Sequence, residues 1–151
     1  MNVAEICKGD VITVRELDEL STAARLMREK HVGYLVVVEP NPANAHLRPV
    51  GVLTDRDIVV SVVAQDTNPR SLKVGDIMTR QPVVAGEESS IASALQDMRR
   101  IGVRRLPIVG RAGQLVGVLS LDDVLDALAS ELNDAAGSIR NELGTEGALR
   151  P

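Results

Sequence analysis

The chain has 151 residues, a formal net charge of −4 from 17 basic and 21 acidic residues, and a single aromatic residue, Tyr34. Polymeric nucleic acids are bound through clustered Lys and Arg and through aromatic stacking, so this composition argues against a DNA or RNA partner. No apolar run approaches the roughly 20 residues that span a bilayer. The N-terminus is unlike a signal peptide, and the single cysteine, Cys7, excludes an internal disulfide. We therefore expect a cytoplasmic protein with no membrane partner.

The sequence contains an internal repeat, which is the strongest guide to its fold. Residues 3–38 match residues 74–109 at a constant offset of 71. The first copy then carries five extra residues within 40–49, a stretch rich in Pro and Asn that is predicted to be a loop. Beyond it the offset is 66, so that Asp57 corresponds to Asp123.

Both copies are predicted to contain the same elements in the same order. An extended run opens each copy, at Val11–Val14 and at Pro82–Val84. A helix follows, with Asp18 and Ser89 as the predicted N-caps. Two short apolar strands and a second helix complete each copy. The strands are predicted at Tyr34–Val38 and Val50–Leu53 in the first copy and at Leu106–Val109 and Val116–Leu119 in the second, and the second helices at Asp55–Ala64 and from Asp122 onward.

These elements predict an α/β (α+β) fold built from a tandem pair of β-α-β-β-α units. One unit of about 60 residues buries too little surface to be stable alone, so we expect two units related by pseudo-twofold symmetry to bury a shared core. The predicted organisation is a first repeat over 1–66, a linker over 67–73, a second repeat over 74–130 and a C-terminal tail over 131–151.

The tail is predicted to be helical, because apolar residues continue at three- and four-residue spacing from Leu125 to Leu143. Two interpretations are open. The helix either packs on its own chain, which is the simpler one, or docks on a partner or a second copy. Residues 144–151 are expected to fray.

One motif follows the last strand of each copy: Gly, two apolar residues, Thr or Ser, two variable residues and Asp. It contains Thr54 and Asp57 in the first copy and Ser120 and Asp123 in the second. The simplest interpretation is a capping box at the start of a helix. The same geometry also suits a nucleotide, because a helix N-terminus and a hydroxyl attract phosphate and a carboxylate accepts from a ribose diol.

The duplicated motif, with the segments Asp76–Thr79, Arg104–Val109 and Thr54–Asp57, resembles the cystathionine-beta-synthase (CBS) domain family, whose tandem pair is called a Bateman module. The resemblance covers nearly all of residues 3–130. It implies two clefts between the paired units, which in the family often hold AMP, ADP, ATP or related adenosyl ligands. It also implies a homodimer.

The resemblance further implies a set of nucleotide-binding residues. Two carboxylates would bind ribose, hydroxyls and arginines would contact phosphate, and the opening strands would line the adenine. The ribose-binding carboxylates are those of Asp57 and Asp123. The phosphate contacts are Thr54, Ser120, Arg56, Arg104 and Arg105, and the residues that line the adenine are Ile12, Thr13, Val83 and Val84. Gly33 and Tyr34 stand where the second copy has Arg104 and Arg105, so the two sites are predicted to be unequal.

The predicted function is therefore a regulatory module that senses an adenine nucleotide and signals to an effector protein by changing shape. No catalytic constellation is apparent, since neither histidine has a ligand or nucleophile beside it. Metal binding is not predicted from the residues, although a nucleotide can bring its own Mg²⁺. Two alternatives stay open: an interaction module with empty clefts, and the same module binding another adenosyl ligand or a metal ion.

Overall fold

A computed structural model describes residues 1–149. The first half contains β1 (Thr13–Val14), α1 (Leu20–Lys30), β2 (Tyr34–Pro40), β3 (Leu47–Thr54) and α2 (Asp55–Ile58). The second half contains α3 (Val74–Ile77), β4 (Thr79–Arg80), β5 (Ala85–Gly86), α4 (Ile91–Ile101), β6 (Arg105–Val109), β7 (Leu115–Ser120) and α5 (Leu121–Leu149). A π-helix at Val59–Val63 continues α2, and short 3₁₀ turns lie at Val3–Glu5 and Pro69–Ser71.

The strands form two sheets that repeat one topology. The first has the order β1-β2-β3-β4 and the second the order β5-β6-β7. In each, the opening strand pairs in parallel with the next, which forms an antiparallel pair with the third. The register is repeated as well, because Leu35 pairs with Leu53 and Leu106 pairs with Leu119. This confirms the predicted α/β (α+β) fold, a tandem pair of β-α-β-β-α units with pseudo-twofold symmetry.

The two halves exchange short segments. The N-terminal segment reaches the second sheet, where Lys8 pairs with Val118 of β7 by two backbone hydrogen bonds of 3.0 Å. In the matching place β4, which follows the linker, pairs with β3 of the first sheet. Gly117 permits the first crossing, because a Cβ there would lie 2.7 Å from the Lys8 carbonyl oxygen. Each sheet is thus completed by chain from outside its own half.

Residues 1–149 contain two hydrophobic core clusters, one in each half, where one shared core was expected. The first core gathers side chains of α1, β2 and β3 and includes Val74 from α3. The second gathers α4, β6 and β7 and includes Val3 from the N-terminal turn. Val3 and Val74 occupy matching positions in the repeat, and both are fully buried. Each core gains apolar surface from the exchanged segment, while Val36 and Val38 of β2 are buried outside both clusters.

Several predicted boundaries differ from the structure. The N-caps of α1 and α4 are Glu19 and Ser90, each one residue later than predicted. Ser90 Oγ accepts a hydrogen bond from the Ser93 N–H at 3.1 Å, whereas Asp18 accepts from the Arg15 N–H in the preceding turn. A side chain one residue before the cap can accept a hydrogen bond within the preceding turn instead, and sequence spacing does not distinguish this role from helix capping.

The strands and the loop also differ from the predictions. β1 is shorter than Val11–Val14, and β5 lies after Pro82–Val84. The predicted loop over 40–49 is shorter in the structure: residues 41–46 turn, and the strands on either side extend into the rest of the stretch, with Pro40 of β2 opposite Leu47 of β3. The five extra residues therefore lengthen a hairpin.

α5 extends away from the body of the protein. Among its residues only Val124 is buried, and every residue from 128 to 149 except Gly137 is exposed. The simpler interpretation of the tail, a helix packed on its own chain, is therefore wrong. The helix also continues to Leu149 through the segment expected to fray, of which Arg150 and Pro151 lie outside the described residues.

Candidate ligand-binding clefts

Two clefts lie between the halves at matching positions. We call the first, of about 620 Å³, the Thr54 cleft; it is lined by Thr54 and Asp57 from the first half and by Val83 and Arg104 from the second. The second, the Ser120 cleft, has a volume of about 390 Å³ and is lined by Ser120 and Asp123 together with Ile12 and Gly33. These volumes are typical of small-molecule sites. Any ligand in either cleft would touch both halves.

Thr54 and Asp57 form the capping box that opens α2. Thr54 Oγ1 accepts a hydrogen bond from the Asp57 N–H at 3.1 Å, and Asp57 Oδ2 accepts from the Thr54 N–H at 2.8 Å. Among residues 1–149, the other carboxylate oxygen, Asp57 Oδ1, makes no hydrogen bond or ion pair. The cap therefore fixes the carboxylate and leaves one oxygen available to a ligand hydroxyl.

The matching carboxylate of the Ser120 cleft is already engaged. Ser120 Oγ donates a 2.6 Å hydrogen bond to Asp123 Oδ2, and the Lys8 ammonium lies 2.9 Å from Asp123 Oδ1. The Lys8 hydrogen bond, with that of Ser120, holds the pKa of Asp123 below its usual range. Thr79 stands at the position of Lys8 in the Thr54 cleft, so Asp57 has no such cation beside it.

The two clefts differ in charge. Arg56, Arg104 and Arg105 line the Thr54 cleft and outnumber its two carboxylates, Asp55 and Asp57. Three carboxylates line the Ser120 cleft against two permanent cations; the carboxylates are Asp10, Asp122 and Asp123 and the cations Lys8 and Arg105. Anionic ligands are therefore favoured in the Thr54 cleft.

The guanidinium groups of the Thr54 cleft are held loosely. Arg104 is bound to Asp122 by an exposed 2.9 Å ion pair, which contributes little to stability and releases the guanidinium at small cost. Arg105 lies over the ring of Tyr34, with 5.7 Å between its Cζ and the ring centroid. Both arginines can therefore turn toward a phosphate.

The structure brings nine of the eleven predicted site residues to a cleft. Thr54, Arg56, Asp57, Val83 and Arg104 line the Thr54 cleft, Ile12, Ser120 and Asp123 line the Ser120 cleft, and Arg105 lines both. Thr13 and Val84 lie outside both linings, which differs from the expectation. Each follows a lining residue in extended backbone, and successive side chains of such backbone point in opposite directions.

Lys8 lines the Ser120 cleft although it was not a predicted site residue, and Tyr34, which was noted only as the counterpart of Arg105, lines both clefts. The repeat alignment contained the signal for both, since Lys8 matches Thr79 and Tyr34 matches Arg105 at the offset of 71. Comparing position 8 with position 79, as position 34 was compared with position 105, would have identified Lys8. The Tyr34 hydroxyl is buried without a hydrogen-bond partner among the described residues, and burial raises its pKa.

Comparison with known proteins identifies the repeat. The family model of the CBS domain matches residues 3–64 and 74–130. The chain belongs to the CBS domain family. It is 33% identical over 137 residues to the CBS domain-containing protein YhcV of Bacillus subtilis, with 91% of each chain covered. It is 34% identical over 125 residues to an uncharacterized protein from Methanopyrus kandleri, covering 83% of this chain and 61% of that protein.

Some relatives are longer than this CBS pair. The chain spans 54% of the length of a mitochondrial CBS domain-containing protein of Arabidopsis thaliana, to which it is 32% identical over 116 residues, or 76% of its own length. Relatives also include enzymes that carry CBS domains, such as the inosine-5'-monophosphate dehydrogenase of Korarchaeum cryptofilum, of which 22% is covered at 35% identity. CBS pairs thus occur both in proteins named only for this domain and joined to catalytic domains.

Solved structures show the same fold. A hexameric CBS-CP12 protein from bloom-forming cyanobacteria superposes with a TM-score of 0.73 at 25% identity, covering 99% of this chain and 84% of that one. A CBS domain pair in complex with methylthioadenosine and S-adenosylmethionine has a TM-score of 0.73 at 21% identity, with 87% and 98% covered. In residues 1–149 no helix is long and apolar enough to cross a membrane.

Replacing Lys8 with threonine, the residue at the matching position of the other cleft, is expected to raise the pKa of Asp123. The Lys8 ammonium is the largest cause of the lowered pKa of Asp123, and the Ser120 hydroxyl alone should keep that pKa somewhat below its usual range. A carboxyl group whose pKa is lowered by folding stabilises the protein at pH values above its unfolded pKa of about 3.9, and this stabilisation is lost as the pH falls through the folded pKa. Lys8→Thr should therefore reduce the contribution of Asp123 to the free energy of unfolding at neutral pH. Carboxyl-carbon NMR titration of Asp123 measures the change. Lys73→Thr, outside both clefts, is the control, and an unchanged Asp123 titration in Lys8→Thr would contradict the ion pair.

Proposed function

We propose that this CBS pair binds an adenine nucleotide in the Thr54 cleft and acts as a regulatory module. The observation that carries the proposal is that the free Asp57 oxygen and three arginines line one cavity. A carboxylate accepts hydrogen bonds from a ribose diol, and guanidinium groups pair with phosphate oxygens. Both groups are needed for a nucleotide, and the Thr54 cleft supplies both within about 620 Å³.

The apolar part of the same cleft is suited to the base. Val83, Ile101, Val103 and Pro107 line it on the side of the second half. Aliphatic walls accept the flat face of an adenine while the ribose and phosphates remain at the polar end. A structural neighbour that binds methylthioadenosine and S-adenosylmethionine shows that this fold accommodates adenosyl ligands in that protein. A nucleotide phosphate can bring Mg²⁺ into the cleft with it.

Regulation would follow from the position of the ligand between the halves. Thr54 and Asp57 belong to the first half, and Arg104 and Arg105 to the second, so a bound nucleotide joins them. A ligand shifts a conformational balance only by its difference in affinity between the two placements. The placement that brings the arginines onto the phosphate is the one that the ligand favours, and an effector protein would recognise it.

Thermal unfolding against AMP, ADP, ATP, S-adenosylmethionine and GMP tests this function. At 100 times its dissociation constant a ligand adds about 2.7 kcal/mol, which raises the Tm by about 5–10 °C for a domain of this size. We expect that shift with adenine nucleotides and a smaller one with GMP. No shift with any of these compounds would favour the interaction module with empty clefts.

We also infer that the chain associates with a second copy through its exposed apolar helical surface. This surface consists of Leu125, Leu128, Leu132, Ile139 and Leu143 on α5, with Val59, Val60 and Val63 of the π-helix also exposed on the body. Val59 and Leu125 are equivalent in the repeat and are 55% and 54% exposed. Exposed apolar residues at an equivalent position of both halves suit a symmetric contact. A hexameric neighbour that aligns with 99% of this chain supports self-association.

Placing glutamates at Leu132 and Ile139 together is expected to weaken self-association at least tenfold. Two charges would have to be desolvated in an apolar contact, which costs several kcal/mol. Sedimentation equilibrium measures the change. Asn133→Glu together with Asn141→Glu, which adds the same two negative charges at exposed positions outside the apolar surface of α5, is the matched control. A monomeric wild-type protein, or equal weakening in both double variants, would contradict this interface.

A further inference from the structure

The two clefts share one wall, and a single charged side chain stands in it. Gly33, Tyr34 and Arg105 line both clefts, and of these only Arg105 carries a charge. Tyr34 and Arg105 occupy matching positions in the two halves and lie against each other, with 5.7 Å between the guanidinium carbon and the ring centroid. The two clefts thus share one arginine, Arg105, at the position where two fully equivalent clefts would each have their own.

Arg105 interacts with groups on both sides of this wall. On one side it lies in the Thr54 cleft with Arg56 and Arg104. On the other side it lies in the Ser120 cleft, where its charge acts on the carboxylate of Asp123. Its resting place over the Tyr34 ring lies between the two clefts, and such cation–ring contacts contribute only about 0.5–2 kcal/mol. The guanidinium can therefore leave the ring for an anion in either cleft.

We propose that Arg105 is the specificity-determining residue that limits this chain to one tightly bound phosphate-bearing ligand at a time. The proposal rests on the proposed function and extends it to the second cleft. A phosphate in the Thr54 cleft draws Arg105 to that side and removes the cation from the Ser120 cleft. By thermodynamic linkage, a phosphate in the Ser120 cleft weakens binding in the Thr54 cleft by the same factor.

The charges of the two clefts explain why sharing has a large effect on one of them. Without Arg105 the Thr54 cleft keeps Arg56 and Arg104. The Ser120 cleft keeps only Lys8, which is paired with Asp123, while Asp10 and Asp122 also carry negative charge there. A phosphate entering the Ser120 cleft after the first ligand has bound would therefore meet an excess of negative charge. The first ligand therefore binds in the Thr54 cleft, and binding of a second ligand in the Ser120 cleft is weakened.

Calorimetric titration with ATP separates this coupling from a simple difference between the clefts. The first protein is the wild type, and the second has the Thr54 cleft disabled by Thr54→Ala together with Asp57→Ala. With the Thr54 cleft disabled, Arg105 stays available to the Ser120 cleft. ATP should then bind there at least fivefold more tightly than in the second step of the wild type.

Two further variants assign the coupling to Arg105. Arg105→Gln is added to both proteins. ATP should then have the same dissociation constant in the second binding step of the protein with both clefts intact and in the single binding step of the protein with the Thr54 cleft disabled. Arg56→Gln is the matched control, because Arg56 lines only the Thr54 cleft and, unlike Arg104, is not paired with a residue of the Ser120 cleft; it should weaken the first step and leave the fivefold difference in place. The emission of Tyr34, the only aromatic residue, reports in each protein whether the wall is intact.

The outcomes are distinct. A fivefold difference that disappears only with Arg105→Gln supports the proposal. Equal constants in the two proteins that retain Arg105, or no ATP binding in the Ser120 cleft when the Thr54 cleft is disabled, would overturn it while leaving the proposed function intact. No heat with ATP in the wild type would remove the proposed function and this inference together.

Discussion

Replacing Asp57 with asparagine is expected to weaken ATP binding at least tenfold, whereas Asp123→Asn should change it less than about threefold. The Asp57 carboxylate offers its free oxygen to the ribose, and hydrogen bonds to charged groups contribute about 1.5–3 kcal/mol each. Asparagine retains an acceptor for the Thr54 N–H, so the capping box can persist. Asp123 is already engaged by Lys8 and Ser120 in the less favourable cleft.

Equilibrium dialysis with ATP measures both variants under one set of conditions. The free energy of unfolding without ligand is the control, because loss of a cap costs about 0.5–2 kcal/mol and would confuse the comparison. If Asp123→Asn were the more damaging change, the Ser120 cleft would be the principal site. Equal, small effects would mean that both motifs are helix caps only.

Removing residues 1–8 is expected to lower the free energy of unfolding by about 4 kcal/mol or more. Burial of a valine such as Val3 contributes about 1.5–3 kcal/mol, and each backbone hydrogen bond about 0.5–1.5 kcal/mol. The segment makes four such bonds to the second half, from Val3 to Ser89, from Ala4 to Glu87 and two between Lys8 and Val118. Small domains are stable by only about 5–15 kcal/mol, so this loss is a large fraction.

Urea unfolding with amide hydrogen exchange locates the damage. Exchange should accelerate first in α4, β6 and β7, because Val3 belongs to their core, while β2 and β3 stay protected at first. Truncation after Ser130 is the control, since the described residues of α5 that it removes are all exposed except Gly137. Faster exchange confined to β2 and β3 would contradict the exchange of segments between the halves.

The repeat in the sequence predicted the fold because each copy carries its own complete pattern of apolar residues. Leu53 and Leu119 match at the offset of 66 and are both fully buried, so periodicity alone identified the strands that form the cores. The exchanged segments were not predicted. A short apolar segment such as Val3–Ile6 fits equally well against either half, and only three-dimensional packing decides between them.

The candidate site was predicted in outline for a similar reason. Thr54 and Asp57 are neighbours in sequence, so their motif is visible in the chain. The ion pair of Lys8 with Asp123 and the contact of Arg105 with Tyr34 join residues that are far apart in sequence. Both depend on how the halves meet, and that arrangement determines which cleft carries the free carboxylate.

The most direct test of nucleotide binding in the Thr54 cleft is an NMR titration of the isotopically labelled protein with ATP. We expect the largest amide shift changes at residues 54–57 and 102–105, on the two sides of that cleft. Changes at residues 8–12 and 120–123 should be smaller at the first equivalent of ATP. Shift changes confined to the Ser120 cleft, or no saturable shift changes in either cleft, would contradict nucleotide binding in the Thr54 cleft.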